Sequence, residues 1–207
     1  YMHSKGLAYR DLKPENMMID SEGYIRVIDM GFAKPIPYRS GEKVHDRSFS
    51  LCGTPEYVSP ELVFGKGHDQ AVDYWAFGCL VFELLTNDTP FADPHQSRIF
   101  KKIVNSARLL PHMFAKGFPG KAKDLIQELL MPKPAMRLGM QKNGPDDILK
   151  HPWFAGIDWK KLEAKRYKPP YRPEVTSELD DRNFDDYGSD DGVMKYDGPS
   201  TLFASFT

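Results

Sequence analysis

Residues 9–31 constrain this chain more than any other stretch. They read Tyr9-Arg10-Asp11-Leu12-Lys13-Pro14-Glu15-Asn16, then Met17-Met18-Ile19-Asp20-Ser21-Glu22-Gly23-Tyr24-Ile25-Arg26-Val27-Ile28, and end in Asp29-Met30-Gly31. Two apolar runs flank a Ser-Glu-Gly turn, which predicts a short antiparallel hairpin. Such a ribbon returns to its start, so Asn16 before the first strand and Asp29 after the second come to the same end. An amide oxygen beside a carboxylate suits a hard divalent cation. Mg²⁺ needs only one or two protein oxygens when water and substrate phosphates complete its shell. Asp11, on a loop ending at Pro14, stands where it can face that site and take a proton from a hydroxyl nucleophile. Taken singly, each of these residues reads as a cap or an Asx-turn; the ordered set points to chemistry.

The set resembles the signature of the eukaryotic protein kinases. Arg10-Asp11, Lys13 and Asn16 stand as the catalytic loop, and Asp29-Met30-Gly31 as the metal-binding triplet that opens the activation segment. The resemblance implies Asp11 as catalytic base, Lys13 steadying the transferring phosphoryl group, Asn16 and Asp29 holding Mg²⁺, and ATP as phosphoryl donor. Two positions depart from the common pattern. Tyr9 stands where His is usual, as in the cyclic-nucleotide-dependent kinases. Met30 stands where Phe is usual, a flexible thioether in place of a ring.

At 207 residues and a net charge of −1, the chain is long enough for one sizeable core and carries no excess of cations, which argues against a nucleic-acid partner. It shows no apolar run long enough to cross a bilayer and no secretory signal, so the expected location is the cytoplasm, with the nucleus left open. Cys52 and Cys79 have neither metal-ligand nor disulfide-framework spacing. Cys79 falls in an apolar helical pattern; Cys52 lies in a proposed substrate-contact loop, where oxidation is an alternative. The six histidines receive no chemistry. The catalytic stretch begins almost at Tyr1, and the Gly-rich loop and strand Lys of a whole kinase are not in view. A fragment lacking the N-terminal lobe and inactive alone is therefore expected.

From Phe32 to Phe49 the composition shifts to Pro, Gly, Ser and charged residues without periodicity, which predicts a long exposed loop. It is several residues longer, between Lys34 and Ser50, than in the cyclic-nucleotide-dependent kinases. The resemblance places an activating phosphosite at Ser50, with Arg10 and Lys34 to clamp a phosphate that adds about −1.5 to −2 of charge. A solvated loop serine is the alternative. Thr54 matches the threonine that bonds Asp11 and Lys13, and Leu51 and Pro55 would line the pocket for the residue after the acceptor. Glu61, in Val58-Ser59-Pro60-Glu61, would pair with Arg137 in a buried structural ion pair.

Residues 69–85 are apolar almost all round, the pattern of a buried central helix. Two acids interrupt it. Asp73 resembles the acid that receives backbone N–H groups from the catalytic loop. Glu83, with Glu15, resembles the pair that recognises an Arg before the acceptor in basophilic kinases, structural ion pairing being the alternative. Residues 97–107 and 120–131 read as amphipathic helices, with Ile99, Phe100, Ile103 and Val104, then Ala122, Leu125, Ile126, Leu129 and Leu130, facing the core. The first is also a docking surface by the resemblance. Residues 146–150 with His151-Pro152-Trp153-Phe154 match the last helix of the fold and its exit.

Residues 174–207 hold nine acidic residues against Arg182 and Lys195. Asn183-Phe184-Asp185-Asp186-Tyr187 and the terminal Phe203-Ala204-Ser205-Phe206 resemble the tail of the AGC group of kinases, in which Phe184 would lie beside the adenine, as would Met18. With the other lobe absent, residues 183–206 are expected to be largely unanchored. The fold class expected is α+β: a kinase-like, mainly helical C-terminal lobe over residues 1–154, with small β-hairpins, and an extended C-terminal tail over 155–207. The resemblance is strongest to the cAMP-dependent catalytic subunits, with the cGMP-dependent kinases next. It implies ATP-dependent phosphorylation of Ser/Thr in protein substrates with basic residues before the acceptor, and a cAMP-binding regulatory subunit as partner. A kinase-like scaffold without catalysis is the competing class.

Overall fold

A computed structural model describes residues 1–36, 47–177 and 179–185. Strands β1 (Leu7–Ala8) and β4 (Lys34–Pro35) pair antiparallel, and so do β2 (Met17–Ile19) and β3 (Ile25–Val27). In the second pair Met17 faces Val27 and Ile19 faces Ile25. The Ile28 amide donates to the Asn16 carbonyl at 3.0 Å and extends this ladder by one step. That register sets Asn16 and Asp29 at the same end of the ribbon. The turn is held by Asp20, whose carboxylate accepts from the amides of Glu22 and Tyr24 and from Arg26 Nε. Lys165 crosses from the far end of the chain to the same carboxylate, and Tyr24 donates to the Tyr167 carbonyl at 2.8 Å.

The core is built on helices. After the short α1 (Pro60–Val63), α2 (Ala71–Thr86) runs through the centre, with Trp75 and Cys79 fully buried. It packs against α5 (Gly120–Leu129), which buries Ala122, Leu125, Ile126 and Leu129. A side chain at Gly78 would come within 2.9 Å of Leu129 and Leu130, so the two helices approach this closely only because position 78 carries none. Asn87, in the left-handed region, ends α2 by donating its amide to the Glu83 carbonyl. The ladder of α3 (Gln96–Val104) and α4 (Ser106–Leu109) closes one flank; α6 (Pro145–Leu149) and α7 (Trp159–Glu163) lead into the tail.

Several expectations require correction. Leu84 and Leu85 are exposed, at 68% and 41%, so α2 is buried all round only up to Phe82. The helix expected over 97–107 breaks at Asn105, whose side chain donates to the Lys101 carbonyl at 2.7 Å and competes with the helical ladder. Val104 consequently turns to solvent, while Ile99 and Ile103 are buried. The Cys52 thiol is pushed up by burial, which disfavours the thiolate that oxidation needs. The β1–β4 pair was not foreseen, because two-residue strands carry no periodicity. The lengthened part of the activation segment, Tyr187 and residues 203–206 lie outside the described residues.

Candidate active site

The loop carrying Asp11 hangs from α2. Asp73 Oδ1 accepts the Arg10 amide at 2.7 Å, and Oδ2 accepts the Tyr9 amide at 2.9 Å. His3 Nε2, at 2.6 Å from Oδ2, adds a third contact. Arg10 takes a left-handed φ of 73°, a conformation costing roughly 1 kcal/mol that these bonds hold in place. Gly53 completes the clasp: with φ at +96°, it sits so close that a side chain there would reach 2.9 Å from the Arg10 carbonyl. Tyr9, the departure from the usual His, donates its hydroxyl to the Ile28 carbonyl at 2.6 Å. Burial and neighbouring acids raise that hydroxyl above its ordinary value, so it stays a donor. It thereby ties the loop to the residue before Asp29.

Asp11 is buried, and four donors converge on its carboxylate. Asn16 Nδ2 reaches Oδ2 at 2.8 Å, and Lys13 Nζ stands 3.1 Å from the same oxygen. The Thr54 amide and hydroxyl each reach Oδ1 at 3.2 Å. A carboxylate has about four acceptor positions, so all are in use. Burial alone would raise the Asp11 carboxyl; Lys13, Asn16 and Thr54 outweigh it and hold the group below the usual carboxylate range. Lys13 Nζ also donates to Thr54 Oγ1 at 2.8 Å.

At the hairpin end, Asn16 spends its Nδ2 on Asp11, through both Oδ2 and the backbone carbonyl, leaving Oδ1 without a hydrogen bond among the described residues. Asp29, at a left-handed φ of 56°, accepts the Gly31 amide on Oδ1 at 2.9 Å, an Asx-turn that leaves Oδ2 without a hydrogen bond among the described residues. Two hard oxygens from neighbouring registers fit Mg²⁺, which takes one or two protein oxygens and the phosphates of its substrate. Among the described residues no group of three or more His, Cys, Asp or Glu lies together as a metal cage. An open cavity of about 800 Å³ borders the hairpin; Met18 lines it together with Met17, Ile28 and Tyr171, and Phe184 and the acids Glu15, Asp180 and Asp185 lie along it as well. The tail reaches that position through a local knot of bonds, in which Asp180 accepts from Thr176 and Arg182 while Asn183 Nδ2 donates to the Glu174 carbonyl.

Arg10 and Lys34 converge on Ser48 rather than on Ser50: Arg10 Nη1 lies 3.2 Å and Lys34 Nζ 3.1 Å from Ser48 Oγ. Ser48 is buried and Ser50 exposed. The cause is a backbone bridge, in which the amides and carbonyls of Ser48 and His68 exchange hydrogen bonds at 2.9 and 2.8 Å. The His68 ring accepts from Arg10 Nη1 at 3.3 Å; burial first, then Arg10, lowers its affinity for a proton. Neither His3 nor His68 has a sequence signal, since each partner lies about 20 to 70 positions away.

On the other side of Thr54, Pro55–Tyr57 form a 3-10 turn, and Leu51 stands exposed at 63%. Tyr57 donates its hydroxyl to Glu83 Oε2. Burial, followed by the charges of Glu15, Glu56 and Asp88, raises the Glu83 carboxyl above its ordinary value, which places Glu15 and Glu83 within one acidic field. Glu56, not anticipated from the sequence, accepts the Thr89 hydroxyl at 2.5 Å. Below this field Arg137, fully buried, meets Glu61 through two parallel bonds of 2.8 and 3.0 Å. Its guanidinium also donates to the Ala71 and Met131 carbonyls and lies 5.2 Å above the Trp75 ring.

Residues 1–154 match the protein kinase domain. The chain is 43% identical over 187 residues to the cAMP-dependent protein kinase catalytic subunit PRKX of Mus musculus, covering 90% of the chain and 49% of that protein. It is 42% identical over 203 residues to the cAMP-dependent protein kinase catalytic subunit of Dictyostelium discoideum, covering 98% of the chain and 29% of that protein. With the cGMP-dependent protein kinase 2 of Rattus norvegicus it shares 42% over 193 residues, covering 93% of the chain and 24% of that protein. The chain thus spans half or less of the length of these curated relatives.

Proposed function

This chain belongs to the protein kinase family, and from that premise we propose that it supplies the catalytic-loop lobe of an AGC-type serine/threonine kinase. The observation that carries the reading is the convergence of Lys13, Asn16 and Thr54 on the buried Asp11 carboxylate. A substrate hydroxyl enters by displacing one of the two 3.2 Å contacts from Thr54, the longest on that carboxylate. A carboxylate held below its ordinary range is a weak base. It therefore orients the hydroxyl first and accepts the proton late, which suits a loose phosphoryl-transfer transition state. Lys13, between Asp11 and Thr54, places a positive charge beside the attacking oxygen. Asn16 Oδ1 and Asp29 would hold Mg²⁺, which when bound to MgATP neutralises phosphate charge.

Met17, Met18, Ile28 and Phe184 supply an apolar side to the cavity at the hairpin on which an adenine would rest, beside polar residues that include Ser21 and Asn183. Glu15, Glu83 and Glu56 create the acidic field that an Arg before the acceptor would enter. The names of the relatives support cyclic-nucleotide-dependent control, and a cAMP-binding regulatory partner belongs to the same proposal. Phosphorylation of an Arg-containing serine peptide by the intact protein tests the reading. Asp29→Ala should lower kcat by at least about a hundredfold with the melting temperature unchanged. Turnover within a few-fold of the unaltered protein would refute the assignment.

A further inference from the structure

Four cations surround a recess that the catalytic reading does not use. Arg98, Lys101 and Lys102 lie on one face of α3 at the i, i+3, i+4 spacing, and Arg108 joins them from α4, where the break at Asn105 folds the chain back. They border an open surface recess of about 330 Å³. Asp93 sits at its edge, with Oδ2 at 3.1 Å from Lys102 Nζ and Oδ1 at 4.0 Å from Arg98 Nη1, and Lys102 also donates to the Ala92 carbonyl. Lys101 and Arg108 make no ion pair among the described residues. Four positive charges against one negative leave +3 in this recess, on a chain whose total is −1.

Like charges at helical spacing repel one another, and an anion bound between them relieves that cost. A carboxylate brings one charge and two oxygens; a phosphate monoester brings about −1.5 to −2 of charge and three acceptor oxygens, a closer match to a group of guanidinium and ammonium cations. Leu109 adds an apolar wall for the stem that carries the phosphate. The four cations gather at one small recess, a shorter footprint than the extended basic track that a nucleic-acid backbone needs. The buried side of α3, through Ile99 and Ile103, faces the core, and the helix packs on the Pro55–Tyr57 turn that follows Thr54. A partner held on α3 is thus held by the element that backs the substrate side.

We propose that the recess between α3 and α4 is a docking pocket for a phosphorylated serine or threonine on a protein partner. Fluorescence anisotropy on the full chain tests this, using a labelled peptide with one phosphoserine, its unphosphorylated twin, a single-stranded oligonucleotide, phosphatidylserine vesicles, and inorganic phosphate as competitor. The phosphopeptide should bind at least about tenfold more tightly than its twin and than inorganic phosphate. Lys101→Glu combined with Arg108→Glu should weaken it by at least about tenfold, and Lys101→Ala alone by a few-fold, with melting temperatures unchanged because both residues are exposed. Equal binding of the twin, unaltered affinity in the double variant, or tighter binding of free phosphate, oligonucleotide or vesicles through the same residues would overturn the proposal.

Discussion

Lys13 Nζ donates to Thr54 Oγ1 at 2.8 Å, joining the catalytic loop to a segment that arrives 41 residues later. The same hydroxyl donates to Asp11, so Thr54 registers the base and the cation together. Thr54→Ala removes that registration without touching either charge. Peptide phosphorylation by the intact protein should show kcat down by about 10- to 100-fold, with less effect in Thr54→Ser, which keeps the hydroxyl.

The pair of Glu61 and Arg137 bears on stability alone. Arg137 has no exposure, and its guanidinium is spent on Glu61 and two carbonyls. Glu61→Gln leaves a buried charge without its counterion and should cost about 3–5 kcal/mol in urea denaturation. A loss below about 1 kcal/mol would show that the fold accommodates the isolated guanidinium.

Two carboxyls give opposite pH dependences. The folded-state Asp11 carboxyl lies below its ordinary 3.8, so folding favours its deprotonation. Its stabilising contribution is complete above the unfolded value and fades as pH falls through the folded one. Between pH 5 and 8, then, Asp11 should not titrate, and kcat should show no acidic limb from it. Glu83, raised by burial and then by Glu15, Glu56 and Asp88, takes up a proton more readily. KM for an Arg-containing peptide should therefore rise as pH is lowered toward the raised value, and Glu83→Gln should flatten that profile. A pH-independent KM would remove Glu83 from recognition.

Arg10 and Lys34 reach Ser48 Oγ while Ser50 stands outside in solvent. Phosphate on Ser50 should draw both cations to itself, its charge exceeding that of a neutral hydroxyl. In the intact protein, Ser50→Ala should lower activity by at least about tenfold, and Ser48→Ala by no more than a few-fold. Phosphate mapped to Ser48, with full activity in Ser50→Ala, would reassign the switch.

The hairpin and the residues at its ends were legible because their placement is local: a turn of Ser-Glu-Gly and two apolar runs set the register that brings Asn16 to Asp29. The α2 core was legible from a run apolar almost all round, and that of α5 from apolar periodicity. What escaped depends on contacts distant in sequence. Ser48 meets the cations because its backbone bridges to His68, and the loop carrying Asp11 is steadied by His3 and by the Tyr9 hydroxyl. The end of α3 turns on one side chain, Asn105, bonding back to Lys101, a competition that apolar spacing does not report.

Asp11→Asn gives the most direct measurement, since it preserves shape and one oxygen to accept from Thr54, while the oxygen facing Asn16 and Lys13 becomes an amide NH2 and the acceptor of the proton is lost. With the intact protein, MgATP and an Arg-containing serine peptide, kcat should fall by about 10²–10⁴-fold while circular dichroism shows the fold retained. Turnover within tenfold of the unaltered protein would contradict the placement of phosphotransfer at this loop.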